Sequence, residues 1–353
     1  MGNPKKLEMD QHTRQKVAIF DAYLKRYLKI VSKGGYSRVS IYDPCAGKGI
    51  YGDCVGSALT ACNNIRAHLP YAPSVGFHLY LNEPDDDNRK ELSKVCSYEF
   101  VECIDNQKAE SFIEKYCSAG HSGHKLWFID PYGYTQVGRS SVSKIMEQAS
   151  SEVLLFIPLT FIYRFLNGNL DHDAKLKPVA KFLNDYSIAQ KEARLCSTPI
   201  AFADLISRKM QELYNYSWHA TMVEGPLHYS LVFISRHHYG LEKFLEARDK
   251  ILKDQCSSQL SLIPMGEEKE LLAILPDRGV DNCEMYMLGL KNGFTPSGVR
   301  ACLEKLESRE LIHIKKNDGV KRGKGIFFLG KEYFKNNHRR IVISASINQG
   351  SLF

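Results

Sequence analysis

Between Arg38 and Pro158, short apolar segments alternate with longer helical stretches, and this alternation constrains the fold more than any other feature. The apolar segments are RVSIYD, GFHLYLN, YEFVECID, KLWFID and EVLLFIP. Strands that alternate with helices at this spacing predict repeated βαβ units. The sequence therefore predicts an α/β domain with a mainly parallel, doubly wound, Rossmann-like sheet.

The segments on either side of this region refine the prediction. An amphipathic helix from Asp10 to about Ser32 precedes the first strand. The last two apolar segments, SWHATMVEG and HYSLVFISR, follow each other with no helix between them, which predicts an antiparallel hairpin. Such an ending is usual in class I methyltransferases, which use S-adenosylmethionine, whereas dehydrogenase-type Rossmann domains lack it.

A second domain is predicted towards the C-terminus. Three short helices, the second opened by an Asp281/Glu284 pair and the third by Thr295 and Pro296, precede LIHIKK, a basic loop and IFFLG. Three helices followed by a two-stranded wing indicate a winged helix. The predicted organisation is an N-terminal helical extension (1–37), a methyltransferase-like domain (38–255), a linker (256–266), a winged-helix domain (267–335) and a basic C-terminal tail (336–353).

Composition excludes several classes of protein. No apolar run approaches the roughly 18 residues that a membrane span needs, and the N-terminus lacks the apolar core of a secretory signal. The ten cysteines include no CxxC pair, which favours reduced thiols over a disulfide or zinc framework. We therefore expect a cytoplasmic protein that binds neither membrane nor metal. The net charge of +7 favours a polyanionic partner.

The turn after the first strand is the strongest candidate for a ligand site. It reads Asp43-Pro44-Cys45-Ala46-Gly47-Lys48-Gly49, and glycines at such a turn allow the backbone to approach a ligand closely. In class I methyltransferases the same turn faces the amino-acid end of the cofactor, although an ordinary glycine turn would have the same sequence. The residues that we expect to contact the cofactor here are Asp43, Pro44, Ala46, Gly47 and Gly49.

Acids at the ends of the next two strands complete the predicted cofactor site. Glu83 follows an almost wholly apolar strand at the edge where open α/β sheets bind ligands, and a carboxylate there can accept both ribose hydroxyls. Asp105, or alternatively Glu102, ends the third strand and is the candidate acceptor for the adenine amino group. We expect S-adenosyl-L-methionine as the cofactor.

The fourth strand ends in Asp130-Pro131-Tyr132-Gly133. Methyltransferases that act on amino groups have a (D/N)PP(Y/F/W) turn at this position, in which the acid and a proline carbonyl accept from the amine and the ring stacks on the base. Methyl transfer depends mainly on positioning the acceptor in line with the donor. Asp130, Pro131 and Tyr132 are therefore the predicted catalytic residues, in a turn one proline shorter than usual.

With these turns in place, residues 10–255 resemble the three-Cys-motif partner (TcmP) family, whose members are classed as S-adenosylmethionine-dependent methyltransferases. The resemblance rests on His12, Thr13 and Lys16, on DPCAGKG with Tyr51 and Gly56-Ser57, on Glu83, on FIDPYG and on HYSLVFISRHHYGLEK. Four residues depart from the family pattern: Cys45, Lys48, Ala58 and Tyr132. The resemblance implies the fold and the cofactor.

Candidate substrate contacts come from both ends of the chain. His12 and Lys16 lie one helical turn apart and are expected to face the substrate. In a nucleic-acid-binding winged helix, the third helix and the basic wing contact the nucleic acid, which points to Arg300, Lys321, Arg322 and Lys324. Winged helices also dock proteins, so a protein partner stays open.

Two functions of different classes follow. In the first, the chain is an enzyme that methylates an exocyclic amine of a nucleobase in DNA or RNA. In the second, it is a methyltransferase-like binding protein without catalytic activity that acts with a protein partner and nucleic acid. A nucleotide-dependent oxidoreductase is disfavoured because the chain lacks a GxGxxG turn.

Overall fold

The computed structural model describes residues 11–133, 135–168, 170, 173–255, 268–317 and 319–346, without the side chains of 252–255, 268 and 269. The chain divides into two compact units, residues 1–263 and 264–353. The linker predicted at 256–266 lies outside the described residues. Among the described residues, no helix is both long and apolar enough to cross a membrane.

A seven-stranded sheet forms the centre of the first unit, in the order β5-β4-β1-β6-β7-β9-β8. All neighbouring strands are parallel except β9, which runs antiparallel to both β7 and β8. A small hairpin, β2 and β3, lies beside the main sheet. The strands are β1 Arg38–Asp43, β2 Ile50–Tyr51, β3 Cys54–Val55, β4 Gly76–Asn82, β5 Val101–Asp105, β6 His124–Ile129, β7 Ser151–Ile157, β8 Tyr216–Glu224 and β9 Leu227–Ser235.

Helices cover both faces of this sheet, as strands buried on both sides require. The mainly parallel sheet with flanking helices and a reversed last strand confirms the predicted Rossmann-like methyltransferase fold. The short helix α8 and the β2–β3 hairpin were not predicted. The helices are α1 Gln11–Lys33, α2 Ser57–His68, α3 Asp86–Val95, α4 Ala109–Ser118, α5 Arg139–Glu147, α6 Leu159–Tyr163, α7 Lys177–Asp185, α8 Gln190–Arg194, α9 Pro199–Tyr214 and α10 His238–Gln255.

Helix α1 is an integral part of the first unit rather than an extension of it. It packs against α2, α10 and β8. Its inner face buries Phe20, Tyr23, Leu24, Tyr27 and Leu28, each at most 3% exposed. Burial of these large side chains supplies a substantial apolar contribution to stability. The helix therefore holds the residues of its first turns in fixed positions beside the sheet.

The second unit combines helices with a three-stranded antiparallel sheet in the order β10-β12-β11. Asp281 caps α12 in a capping box with Glu284, and Thr295 caps α13, as the sequence predicted. The elements are α11 Glu268–Ile274, β10 Val280–Asp281, α12 Asn282–Lys291, α13 Pro296–Ser308, β11 Ile312–Lys316, α14 Lys331–Lys335 and β12 Ile341–Ala345.

Two predictions for this unit were wrong. The segment IFFLG (326–330) is not a strand, because Phe328 has a φ of +53°, which breaks an extended backbone. Residues 336–353 are not simply a basic tail, because Ile341–Ala345 forms the central strand, paired with both β10 and β11. A winged-helix classification of this unit stays a prediction.

Candidate cofactor and substrate site

Three carboxyl groups lie at the same edge of the large sheet. Asp43 ends β1, Glu83 directly follows β4, and Asp130 directly follows β6. These strands are adjacent and parallel in the order β4-β1-β6, so their carboxyl ends meet at one edge. Open α/β sheets bind ligands at this edge.

Asp43 is the most tightly enclosed of these acids. It is 2% exposed, and its Oδ2 accepts a hydrogen bond of 2.6 Å from the Ser57 hydroxyl at the start of α2. The amide of Cys45 donates to Oδ1 at 3.1 Å. Burial raises the pKa of Asp43 to about 7, while the hydrogen bonds from Ser57 and Cys45 oppose that rise. Asp43 therefore fixes the turn after β1 against α2.

Gly47 of this turn makes room for the hydroxyl end of Tyr51. Gly47 has a φ of +64°, and a Cβ there would lie 2.1 Å from the Tyr51 hydroxyl. Gly49 has a φ of +82°, and its carbonyl accepts from the Gly56 amide at 2.8 Å. The Lys48 ammonium lies 5.0 Å from the centre of the Tyr51 ring. Glycine is therefore required at position 47 by both backbone conformation and space.

Glu83 carries an unsatisfied buried atom. Its residue is fully buried, and its Oε1 accepts from the Asp85 amide at 2.9 Å. Its Oε2 is also buried, and no group in the described part of the chain hydrogen-bonds to it. Burial raises the pKa of Glu83, and the nearby amides of Asp85 and Gly47 and the side chain of Asn88 oppose that rise. Because buried polar atoms in folded proteins are nearly always paired, Glu83 is a candidate contact for a ligand hydroxyl.

Asn82 organises the same edge and was missed at the sequence level. Its fully buried amide nitrogen donates to the carbonyls of Pro44 and Gln107, both at 2.9 Å, and its Oδ1 accepts from the Gln107 amide at 2.8 Å. The Ala46 amide donates to the Asn82 carbonyl at 3.0 Å. One side chain therefore ties the loops after β1 and β5 together. A polar residue at the end of an otherwise apolar strand was the available signal.

The two candidates for the adenine contact, Asp105 and Glu102, already interact with other side chains of the protein. Asp105 accepts from Lys115 at 2.7 Å and from the Tyr116 hydroxyl at 3.2 Å. Glu102 lies 2.5 Å from His78 on the neighbouring strand. Asp105 ends β5 at the predicted edge, but its carboxylate already has protein partners.

The turn after β6 places an acid, a proline and an exposed ring in sequence. Pro131 is buried, whereas Tyr132 is 73% exposed and available for stacking. Asp130 Oδ2 forms a close ion pair with Lys16 of α1. Oδ1 of Asp130 receives no hydrogen bond from the described residues. A substrate amine can therefore reach one oxygen of this carboxylate.

Helix α1 contributes a second layer beside this turn. Lys16 is 3% exposed, and its ammonium also lies 4.1 Å from the centre of the Phe156 ring. The ring of His12 stacks on Tyr229 at 3.9 Å, and its Nδ1 lies 2.5 Å from Glu224. The structure thus brings Lys16 to the predicted catalytic turn, while His12 contacts β8 and β9.

The predicted basic contacts of the second unit separate into two groups. Arg300, Lys321 and Lys324 are exposed. Arg322 is instead held by a bidentate pair with Glu307, at 2.8 and 2.7 Å, and also donates to the Ile326 carbonyl at 2.7 Å. Glu307 of α13 thus engages the Arg322 guanidinium within the unit, and the contact of Arg322 with nucleic acid stays a prediction. Within the described residues, no cluster of His, Cys, Asp or Glu is arranged to hold a metal ion.

Comparisons with known proteins found matches among solved structures but none among family models or curated sequences. Membership of the TcmP family therefore stays a prediction. Protein LPL1258 from Legionella pneumophila matches 69% of this chain and 91% of its own, with a TM-score of 0.45 at 14% identity.

Two further structures contain cofactor-related ligands. Human methyltransferase-like protein 13, solved in complex with SAH, matches 69% of this chain and 93% of its own, with a TM-score of 0.37 at 11% identity. The O-methyltransferase TomG from Streptomyces achromogenes, solved with SAM, matches 66% of this chain and 91% of its own, with a TM-score of 0.34 at 11% identity.

Proposed function

We propose that the first unit binds S-adenosylmethionine and transfers its methyl group to an exocyclic amine of a nucleobase in DNA or RNA. The observation that carries the proposal is the buried, unpaired Oε2 of Glu83, one strand away from the glycine turn of β1. These two features lie at the edge of the sheet that also carries Asp130 and Tyr132.

The residues present fit this cofactor. The unpaired oxygen of Glu83 can accept a ribose hydroxyl, and the turn from Pro44 to Gly49 presents backbone to the amino-acid end. When bound, the cofactor supplies an electrophilic methyl group. Lys48 is compatible with that positive charge because its ammonium is directed over the Tyr51 ring.

The turn after β6 is suited to orienting a neutral amine. The free Oδ1 of Asp130 can accept from the amine, and Tyr132 can stack on the base to which the amine is attached. Lys16 holds the Asp130 carboxylate in place through its ion pair with Oδ2. A base within a duplex would have to leave the stack to reach this turn.

The second unit supports a nucleic-acid substrate by its charge. Lys315 and Lys316 at the end of β11 are exposed, as are Lys321 and Lys324 in the following loop and Arg340 before β12. The pairing of Lys316 with Ile341 brings β11 and the start of β12 together. A basic surface of this kind binds phosphates without regard to sequence.

The proposal is tested by radiolabel transfer from S-adenosylmethionine to separate pools of DNA, RNA and protein. We expect label in one nucleic-acid pool, and a loss of at least about tenfold for Asp130→Ala, because the acid positions the acceptor. Glu114→Gln, which changes an exposed carboxyl on α4, is the matched control. Equal transfer by the Asp130 variant would remove the role assigned to Asp130.

A second candidate function, binding without catalysis, is favoured by the ion pair between Lys16 and Asp130. The Lys16–Asp130 ion pair occupies half of the carboxylate that the reaction requires. In a non-catalytic protein that holds the cofactor and assembles with nucleic acid and a protein partner, this pair would be purely structural. Cofactor binding without transfer to any pool, in both the wild type and Lys16→Gln, would favour this second function.

A further inference from the structure

A cavity lies at the opposite end of the parallel strands from the site described above. It has a volume of about 240 Å³ and is bounded by the second half of α1, the starts of β6 and β7, and the start of α10. Its lining includes Tyr23, Tyr27, Tyr36, His124 and Glu152. The proposed methyltransferase function gives this cavity no role.

The innermost polar group of this cavity is the carboxyl of Glu152. The Tyr23 hydroxyl donates to Oε2 in a close hydrogen bond, and Ser235 donates to Oε1 at 3.3 Å. No cationic side chain of the described residues forms an ion pair with Glu152. Gly240 in the first turn of α10 is required here, because a Cβ would lie 2.2 Å from Oε1. The fold therefore provides space for a carboxyl group without a protein cation beside it.

The walls of the cavity offer aromatic rings and unused hydrogen-bonding atoms. Tyr27 is 3% exposed, and its hydroxyl has no hydrogen-bond partner in the described part of the chain. The same holds for the buried Nδ1 of His124. The rings of Tyr36 and His124 meet edge to face with centroids 4.0 Å apart. Buried polar atoms left unpaired around a cavity are available to a bound water or small molecule.

The cations nearest the cavity are paired with carboxyl groups other than Glu152. Lys243 lines the cavity, but it is already paired with Glu242 at 2.8 Å and Glu246 at 2.6 Å. Its ammonium lies 4.8 Å from the centre of the Tyr239 ring. Arg26 also approaches Glu246, at 3.7 Å. Among the described residues, these two cations are therefore engaged by Glu242 and Glu246 rather than by Glu152.

We propose that this cavity binds a compact organic cation, an ammonium group with small alkyl substituents, placed between the carboxyl group of Glu152 and the tyrosine rings. Aromatic faces attract such cations most strongly where water is excluded, and a carboxylate adds direct charge pairing. The inference is independent of the proposed methyl transfer, because it uses the opposite edge of the sheet.

Choline and its neutral isostere, 3,3-dimethyl-1-butanol, provide the test. They have nearly the same shape and differ in charge. Calorimetry of both compounds with the full-length wild-type chain therefore isolates the contribution of the positive charge to the affinity. We expect choline to bind at least about tenfold more tightly than the isostere, as cation–π attraction and charge pairing require. Equal affinity for the two compounds, or no binding of choline up to about 10 mM, overturns the proposal.

Variants then locate the binding site. Glu152→Gln keeps the size of the side chain and should weaken choline binding at least about tenfold, the effect of losing one charge-assisted contact. Glu114→Gln on the surface of α4 should leave binding unchanged. Circular dichroism checks that each variant folds. Unchanged affinity in a folded Glu152→Gln chain contradicts the assignment, and the comparison of choline with its isostere remains decisive if that variant unfolds.

Discussion

Asp43 and Glu152 are buried carboxyl groups at opposite ends of the parallel strands. Burial raises the pKa of each to about 7, against the opposition of hydroxyl donors, Ser57 for Asp43 and Tyr23 and Ser235 for Glu152. Both groups therefore hold a proton more tightly in the folded chain than in the unfolded chain. Their ionisation works against folding near neutral pH.

The difference between the folded and unfolded pKa of Glu152 predicts how Glu152→Gln changes the pH dependence of stability. The unfolded pKa is near 4.5 and the folded pKa is about 7, so the wild type loses stability as the pH rises between these values. Glutamine does not titrate, so relative to the wild type the variant should gain about 3 kcal/mol between pH 4 and pH 8. Urea unfolding of both chains at the two pH values measures this. A difference in stability that does not change with pH would contradict the raised pKa of Glu152.

A second prediction at the residue scale concerns Lys16. Lys16→Gln removes the cation that pairs with Asp130 Oδ2 but leaves the glycine turn and Glu83 untouched. We expect methyl transfer to fall at least about tenfold, while the Kd for S-adenosylmethionine changes by less than about threefold. Calorimetry and radiolabel transfer on the same preparation separate the two effects. A parallel loss of cofactor binding would show that Lys16 acts on the fold instead.

The sequence predicted which residues stand at the ends of strands, but it did not predict which side chains pair across long stretches of sequence. Asp43, Glu83 and Asp130 were found because each follows an apolar strand whose end can be recognised in the sequence. The pairing of Lys16 with Asp130 joins residues 114 positions apart, and no local pattern encodes it. The pairing of Arg322, in the loop after β11, with Glu307 of α13 was likewise not visible in the sequence.

At the scale of elements, the largest error was the choice of the last strand. Both IFFLG and IVISA are short apolar segments, and Phe327 and Leu329 are indeed buried. Burial alone does not make a strand, because a strand also needs partners for its backbone. In the structure those partners, β10 and β11, pair with residues 341–345.

The central position of β12 gives a prediction about stability. Ile343 is fully buried and pairs with both Val280 and Ile314. Ile343→Ala should destabilise the second unit by about 2–5 kcal/mol, the usual cost of truncating a buried isoleucine. His313→Ala, at an exposed position of β11, should cost less than about 0.5 kcal/mol. Thermal unfolding, monitored by proteolytic cleavage within the second unit, measures the destabilisation caused by each variant. Equal destabilisation by the two variants would argue against a central β12.

For the whole molecule, the charge of the second unit predicts a dependence on salt. If Lys321 and Lys324 contact phosphates, replacing both with alanine should lower the slope of log K against log salt by about 1–2. Lys177→Ala, an exposed lysine of the first unit, should leave the slope unchanged. Fluorescence anisotropy with labelled DNA and RNA at several salt concentrations provides the measurement. An unaltered slope in the double variant would assign the nucleic-acid contact to another surface.

We propose above that the edge of the sheet formed by β4, β1 and β6 binds the cofactor. Calorimetry with S-adenosylmethionine tests it directly, using the wild type, Glu83→Gln and the control Glu99→Gln, whose side chain is exposed. We predict binding by the wild type and the control, and a loss of about 10- to 100-fold for Glu83→Gln, the effect of losing a charged hydrogen-bond acceptor. Absence of binding to the wild type at high micromolar concentrations, or equal binding by Glu83→Gln, would contradict the account.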